Sequence, residues 1–396
     1  MKKKFQAQHR ILTRKPIEQI RYSRVFIEKD LQSNKMAFIG GPRQVGKTTL
    51  ALSMIKNATE AHPAYLNWDH QPTRGPLMRG ELPPNQAIII LDEIHKFARW
   101  RGLVKGFYDT MKSKTKFIVT GSARLDYYRK GGDSLMGRYH YHRLHPYSLR
   151  ELDAHCHKDT LKRLLEFGGF PEPFHKGNKV FWRRWGRERY QRVLHEDITS
   201  LERVREVTLI ELLLENLPQR VGAPISIKNL RELLQVSHES VERWISILER
   251  LYVCFRIPPY GSPRIRAVTK EQKLYFWDWS NIEDIGPRFE NLVASQLLKF
   301  CHLQEDTTGH AMELRFLRDT DKREVDFVVL KDKKPLFAVE CKSGEKSVNP
   351  ATHYFRNRTP IPLFYQVHLG TKDFGDEQLG VRVLPFTEFC KILEMP

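Results

Sequence analysis

Residues 41–48 read GPRQVGKT and residues 88–93 read IIILDE, and these two stretches decide the fold of the chain. The first follows the apolar run MAFIG and precedes the helix-forming TTLALSMI, which is the strand, loop and helix order that a phosphate-binding loop (P-loop) needs. The second is a buried strand that ends in two carboxylates. Further apolar runs alternate with helical stretches between residues 35 and 149, which predicts a parallel sheet with helices on both faces.

The loop predicts an ATP site with a defined set of ligands. Glycines let backbone amides face the phosphates, and the helix that follows adds the positive end of its dipole. Lys47 is expected to contact the β- and γ-phosphates, and the hydroxyl of Thr48 to bind Mg²⁺. The expected ATP-binding residues are Gly41, Pro42, Gln44, Val45, Gly46, Lys47, Thr48 and Thr49.

The ends of two further strands predict the catalytic groups. Asp92 is expected to hold Mg²⁺ through water, and Glu93 to act as general base on the attacking water. The strand FIVTGSA places Thr120 and Ser122 where a hydroxyl can reach the γ-phosphate, and Thr120 is the preferred residue.

Two arginines are candidates for the cation that neutralises charge in the transition state. Arg124 and Arg138 both follow the strand FIVTGSA, and either could act from a neighbouring subunit. With 66 Lys and Arg residues in the chain, each is also a candidate surface or nucleic-acid contact.

The composition favours a polyanionic partner and a cytoplasmic protein. The chain has 66 Lys and Arg against 47 Asp and Glu, a formal charge of +19, so DNA is the leading partner and a solvated basic surface is the alternative. Its five cysteines are scattered without a CxxC pair, which indicates reduced thiols. We expect no membrane span and no signal peptide, because no run of about 18 apolar residues occurs.

Four regions are predicted along the chain. Two helices with an intervening turn at Val236 and Ser237 resemble a winged-helix module, with Leu230, Leu233 and Leu234 facing the core from the first helix and Ser237 capping the second. The predicted regions are a P-loop domain with a basic amino-terminal segment at 1–150, a helical lid or connector at 151–222, the winged helix at 223–275 and a second α/β unit at 276–396.

Within the connector, residues 181–192 read FWRRWGRERYQR. Its aromatic and basic side chains could stack on bases and bind phosphates. The alternative is that the aromatic residues belong to the core, because aromatic residues at helical spacing are more often packed than exposed.

The segments GPRQVGKTTL, ILDEIHK, VTGSARL, DSLMGRYHYHRLHPYSLREL and GGFPEPF, in this order, give the chain a family likeness. It resembles the AAA+ ATPases of the archaeal-type class whose carboxyl part is a DUF4143 domain. The resemblance implies an AAA+ core in the first region followed by a winged helix. It also favours Arg138 over Arg124 as the arginine that acts on a neighbouring subunit.

The carboxyl-terminal unit is similar to the PD-(D/E)xK restriction-endonuclease-like core. Asp326 begins one strand, Glu340 and Lys342 end the next, and Glu290 on the preceding helix could join them. The similarity implies that Asp326 and Glu340 bind Mg²⁺ and that Lys342 positions water. The alternative is a nuclease-like fold kept as a DNA-binding or structural module, in which these side chains form salt bridges.

These patterns predict an enzyme that hydrolyses ATP with Mg²⁺ and acts on DNA. The expected role is a motor that remodels or translocates duplex or branched DNA, of the helicase or branch-migration type, and that assembles as a homo-oligomer such as a hexamer. One alternative is an ATPase that binds a partner protein under nucleotide control. Another is a Mg²⁺-dependent DNA nuclease licensed by ATP.

Overall fold

The computed structural model describes residues 21–121, 135–198, 206–261, 272–376 and 380–396. Two of the candidate residues, Ser122 and Arg124, lie outside these ranges. In the described part of the chain, no helix is both long and apolar enough to cross a membrane.

The first region is built on a five-stranded parallel sheet, as the alternation of strands and helices predicts. Its elements are α1 Arg24–Gln32, β1 Met36–Gly40, α2 Lys47–Ser53, β2 Tyr65–Asn67, α3 Gln71–Met78, β3 Ile88–Asp92, α4 Trp100–Met111, β4 Lys116–Thr120 and β5 Tyr139–Arg143. The strand order is β2-β3-β4-β1-β5, so β4 lies between the strand before the P-loop and the strand that ends in Asp92.

The strands of this sheet send alternate residues to its two faces. Phe38, Leu91 and Val119 belong to one hydrophobic cluster, whereas their neighbours Ile39 and Ile90 belong to another on the opposite face. Because both faces are covered, the central strands read as continuous apolar runs in the sequence.

The edge strand β5 is not predicted by the apolar runs, because it carries Tyr, His and Arg. It nevertheless pairs with β1 along its whole length. Polar contacts hold it in place: His142 lies 2.7 Å from Asp30 of α1, and Arg143 lies 2.7 Å from Asp306 in the carboxyl-terminal region.

The connector is helical, as predicted. Its elements are α5 Leu149–Leu152, α6 Lys158–Phe167, α7 Pro171–Lys176, α8 Lys179–Arg192, a π-helical turn Val193–Ile198 and α9 Val207–Asn216. In α8, Trp185 is buried, with its ring centroid 5.3 Å from that of Phe170. Trp185 therefore belongs to the hydrophobic core, and it is not available for stacking on bases.

Two helices and a two-stranded hairpin follow, in the order that a winged helix requires. They are α10 Ile227–Leu234, α11 His238–Arg250, β6 Cys254–Ile257 and β7 Lys273–Phe276. Ser237 caps α11 as predicted, accepting a hydrogen bond from the amide of Ser240 at 3.1 Å. The prediction for Leu233 is wrong: it is 52% exposed, because α10 turns Leu230 and Leu234 inward, one helical turn apart.

The carboxyl-terminal region is a mixed α/β unit with a six-stranded sheet. Its elements are α12 Ile285–Thr308, β8 Met312–Arg318, β9 Glu324–Lys331, β10 Lys334–Lys342, α13 Pro350–Arg356, β11 Phe364–His368, β12 Phe374–Asp376, β13 Val381–Pro385 and α14 Phe386–Ile392. The antiparallel strands β8, β9 and β10 continue into the parallel strands β11 and β13. The hairpin of β9 and β10 brings the segments of Asp326 and Glu340 side by side, as the sequence predicts.

Candidate functional site

The P-loop connects β1 to α2, and two of its glycines have unusual backbone angles. Gly46, at the amino end of α2, has φ +95°, and Gly41 has φ +141°. A Cβ atom on Gly41 would lie 2.3 Å from the carbonyl oxygen of Leu144, so only glycine fits there. Lys47 is buried, and its Nζ donates to the carbonyls of Gly41 at 3.0 Å and Pro42 at 2.7 Å.

The remaining residues predicted to bind ATP differ in exposure. Val45 is buried, whereas the side chain of Thr49 points out of α2 and is exposed. Gln44 has a left-handed backbone, φ +62°, and lines a cavity of about 520 Å³ between the loop and α8. The cavity lining is Gln44, Glu172, Asn178, Val180, Phe181, Arg184, Trp185, Glu188 and Arg192.

Asp92 is the hub of the site. The hydroxyl of Thr48 donates to its Oδ2 at 3.1 Å, the hydroxyl of Tyr65 donates to the same oxygen at 2.6 Å, and Thr120 donates to Oδ1. The strand register explains this meeting, because Asn67, Asp92 and Thr120 are paired at the carboxyl ends of β2, β3 and β4. Burial, and then the Asp92 carboxylate, raise the pKa of Tyr65, so its hydroxyl stays a donor.

Glu93 follows Asp92, and its side chain lies beside His95 and Lys96. Its backbone is left-handed, with φ +56°, and its amide donates to the carbonyl of Thr120 at 3.0 Å. The carboxylate lies 3.6 Å from the ring of His95 and 3.5 Å from the ammonium of Lys96. The side chain keeps 19% of its surface exposed, so water can reach it.

Arg138 is not near the P-loop of its own chain. Its carbonyl accepts from the amide of Met36, so it lies at the amino end of β1, whereas Gly41 and Asp92 lie at the carboxyl ends of the strands. A five-residue strand separates these ends by roughly 15 Å. The guanidinium pairs with Asp109 at 2.8 Å, and this hydrogen bond raises the pKa of Arg138.

The structure brings Asp326, Glu340, Lys342 and Glu290 into one cluster in the carboxyl-terminal unit. Lys342 Nζ lies 2.6 Å from Glu340 Oε1, and Asp326 Oδ2 accepts from the amide of Cys341 at 2.9 Å. Burial and the charge of Asp326 raise the pKa of Glu340 to about 7 and that of Glu290 to about 8.

A lysine from outside that unit also enters the cluster. Lys273 of β7 is fully buried, and its Nζ lies 3.2 Å from both Glu290 and Asp326. The acidic residues therefore surround an ammonium group, which does not fit the Mg²⁺ site expected at Asp326 and Glu340.

Sequence reasoning misses Tyr65, Arg21 and Lys273. Tyr65 lies in the short run AYLNW, and only the pairing of β2 with β3 brings it to Asp92. Arg21 donates to the carbonyls of Val45 and His145, at 2.6 and 2.5 Å, from a segment without a motif. Lys273 carries no local signal either, since no motif includes it.

Family models match three successive parts of the chain. An AAA domain matches residues 33–153, a domain of unknown function (DUF8612) matches 158–281, and a domain of unknown function (DUF4143) matches 285–389. The expected likeness to AAA+ ATPases with a carboxyl-terminal DUF4143 domain is therefore confirmed.

The chain is also similar to proteins of Methanocaldococcus jannaschii and Thermotoga maritima. Two uncharacterized proteins of Methanocaldococcus jannaschii are 22% and 23% identical over 79% and 66% of this chain, which correspond to 76% and 62% of their own lengths. A solved chain of the Thermotoga maritima RuvB Holliday junction branch migration motor matches with a TM-score of 0.31 and 16% identity, covering 59% of this chain and 87% of that chain. A substituted form of the same protein matches with a TM-score of 0.29 and 14% identity, covering 61% and 90%.

Proposed function

We propose that this chain, which joins an amino-terminal AAA domain to a carboxyl-terminal DUF4143 domain, hydrolyses ATP and uses the reaction to remodel or translocate DNA. The observation that carries the proposal is the meeting of Thr48, Tyr65 and Thr120 on the Asp92 carboxylate, next to the P-loop lysine. In a P-loop fold, this is where the triphosphate and its metal bind.

The residues of the site have separate roles in this proposal. The amides of the loop from Gly41 to Lys47 and the ammonium of Lys47 bind the phosphates, with Pro42, Gln44, Val45, Gly46 and Thr49 shaping the loop and the start of α2. Thr48 and Asp92 would hold Mg²⁺, which would supply positive charge to offset that of the phosphates. Thr120, hydrogen-bonded to Asp92, contacts the γ-phosphate.

Glu93 is the proposed general base. It follows Asp92 directly, has a left-handed backbone, and its carboxylate lies beside His95 and Lys96. A carboxylate left outside the metal site can accept a proton from water, whereas Asp92 already accepts three hydroxyl hydrogen bonds.

Tyr65→Phe should raise the Mg²⁺ concentration needed for half-maximal ATP turnover about 10-fold, because it removes the hydroxyl that orients Asp92. The measurement is ATP turnover as a function of Mg²⁺ concentration. Tyr108→Phe is the matched control, since it removes a hydroxyl that donates to the carbonyl of Asn34 at the other end of the sheet. Equal Mg²⁺ curves for the two variants would exclude an orienting role for Tyr65.

Arg138 supports the proposal of a homo-oligomer, such as a hexamer. It lies at the end of the sheet opposite its own P-loop, so it can neutralise transition-state charge only in a neighbouring subunit. Its ion pair with Asp109 is partly exposed, which leaves the guanidinium accessible to a second copy of the chain.

DNA is the proposed partner because of the chain's charge and one exposed helix face. The net charge is +19, and α8 buries Trp185 and Arg189 while its other five cationic side chains are exposed. The exposed cations of α8 are Lys179, Arg183, Arg184, Arg187 and Arg192. The predicted winged helix adds Lys228 and Arg231, also exposed. Such faces bind phosphates without reading the base sequence.

The test is ATP turnover with and without linear duplex, single-stranded and four-way-junction DNA, with Lys47→Ala as the blank. We expect one DNA form to stimulate turnover several-fold, and Arg183→Glu combined with Arg187→Glu to remove the stimulation. The same charge change at Lys112 and Lys114, which are exposed after α4, should leave it intact. DNA binding should also weaken steeply with added salt.

Absence of stimulation, together with absence of DNA binding at low salt, would contradict the DNA proposal. The ATPase would then be assigned to the control of a partner protein.

A further inference from the structure

Lys273 enters the acidic cluster of the carboxyl-terminal unit from the wing hairpin. Its Nζ lies 2.6 Å from Glu324, 3.2 Å from Glu290 and 3.2 Å from Asp326, and the side chain is fully buried. An ammonium group has three hydrogens, so three carboxylates saturate it. Lys273 thus has the surroundings of a bound cation, supplied by the chain itself.

Both oxygens of Asp326 and of Glu324, and one oxygen of Glu290, already have partners in the protein. Asp326 uses Oδ1 for Lys273 and Oδ2 for the amide of Cys341, and Glu290 Oε1 also accepts from the hydroxyl of Tyr275 at 2.7 Å. Glu324 contacts Arg318 with its second oxygen at 3.4 Å. Hydrogen bonds from the protein therefore take the positions that metal bonds would take.

The charges of the cluster are also nearly balanced without a metal. Four carboxylates, Glu290, Glu324, Asp326 and Glu340, face three cations. The cations are Lys273, Lys342 and Arg318. A divalent ion would add two positive charges beside a buried ammonium group.

The backbone fixes Lys273 in this position. Its strand pairs with β6, where Lys273 is opposite Ile257, and it also forms a bridge with Pro224. The chain next to this bridge packs tightly on the cluster, since a Cβ atom on Gly222 would lie 2.9 Å from Glu290 Oε2. The predicted winged helix therefore closes one side of the cluster.

We propose that Lys273 is the resident cation of this cluster and occupies the place of a divalent metal, so that the nuclease-like unit does not bind Mg²⁺ in the intact chain. One atom marks where a metal could enter after removal of the lysine. Glu340 Oε2 is buried and has no hydrogen-bond partner, although Glu340 Oε1 is bonded to Lys342. Lys273 is thus a masking group over a latent metal site.

The test is Mn²⁺ binding to the full chain without nucleotide, followed by electron paramagnetic resonance. Asp92→Asn is present throughout as the parent background, to remove metal binding at the P-loop. We expect the parent to bind no Mn²⁺ that depends on Asp326. Adding Lys273→Met should create a site that binds Mn²⁺ at least roughly 10-fold more tightly than the parent does. Adding Asp326→Asn to this variant should remove that site.

Two outcomes would overturn the inference. One is Mn²⁺ binding by the parent that Asp326→Asn abolishes, which would show that metal and lysine share the cluster. The other is a folded Lys273→Met variant that gains no site. If Lys273→Met does not fold, the comparison of the parent with its Asp326→Asn variant still decides, because both keep the lysine. Neither outcome depends on ATP hydrolysis or DNA binding.

Discussion

Glu93→Gln should lower the rate of ATP turnover by about 10²- to 10⁴-fold while nucleotide binding is kept, because the amide can no longer accept a proton from the attacking water. The substitution preserves the size of a side chain that is 19% exposed and outside the Asp92 hub. The measurements are steady-state turnover and equilibrium binding of ATP to the same preparation.

Two other variants define what this result means. Lys47→Ala should lose nucleotide binding as well as turnover, since it removes the cation held within the loop. Glu81→Gln, at an exposed carboxylate paired with Arg79, should leave both unchanged. Turnover by Glu93→Gln close to that of the unmodified protein would assign the base to another group.

The division of labour between Asp92 and Glu93 could be predicted from the sequence in outline. Two adjacent carboxylates at the end of the apolar run IIIL, after a P-loop, are enough to place them at the same sheet edge. The hydrogen bonds that separate their roles could not be predicted, because they come from Tyr65 and Thr120 on strands whose order the sequence does not state.

The carboxyl-terminal unit shows the same limit more strongly. The order of Glu290, Asp326, Glu340 and Lys342 predicts their meeting, since helix, strand and hairpin spacing are local properties. Lys273 reaches the cluster from a hairpin assigned to the preceding region, so no local pattern includes it. A motif can thus predict which carboxylates meet and still leave open which cation they hold.

Edge strand β5 illustrates a different failure. Apolar runs reveal buried strands, but β5 is stabilised by ion pairs such as that between Arg143 and Asp306. Its partners α1, β1 and α12 come from distant parts of the chain, so no local pattern marks it as a strand.

Glu151→Ala should destabilise the protein by about 3–5 kcal/mol, because it leaves two buried cations without their shared partner. Glu151 Oε1 lies 2.6 Å from Arg21, and Oε2 lies 2.5 Å from Lys299 of α12. All three side chains are almost fully buried. The loss should appear in urea denaturation followed by tryptophan fluorescence.

The matched control is Glu28→Ala, at an exposed ion pair with Arg24 on α1. It should change stability far less, because exposed pairs gain little over their hydration. A cost of Glu151→Ala no greater than that of Glu28→Ala would mean that the network does not hold the domains together.

The effect of Glu151 should also depend on pH in a defined direction. Burial alone would raise the pKa of Glu151, but Arg21 and Lys299 overcome this and hold it below its ordinary value of 4.5. A carboxyl with a lowered pKa in the folded protein stabilises it above pH 4.5, and this stability is lost as the pH falls through the folded pKa. The stability difference between the unmodified protein and Glu151→Gln should therefore shrink in acid.

Lys299→Met should lower the free energy of unfolding less than Glu151→Ala does, because the two residues have different numbers of partners in the ion-pair network. One carboxylate serves two cations, so the site holds excess positive charge, and burial together with Arg21 lowers the pKa of Lys299 to about 8 despite its bond to Glu151. Removing Lys299 leaves the pair of Arg21 and Glu151 intact. Removing Glu151 also frees Arg21, which holds the P-loop through the carbonyl of Val45, so only this variant should weaken ATP binding. Equal losses of ATP affinity in the Lys299→Met and Glu151→Ala variants would mean that Arg21 does not transmit the change to the ATP site.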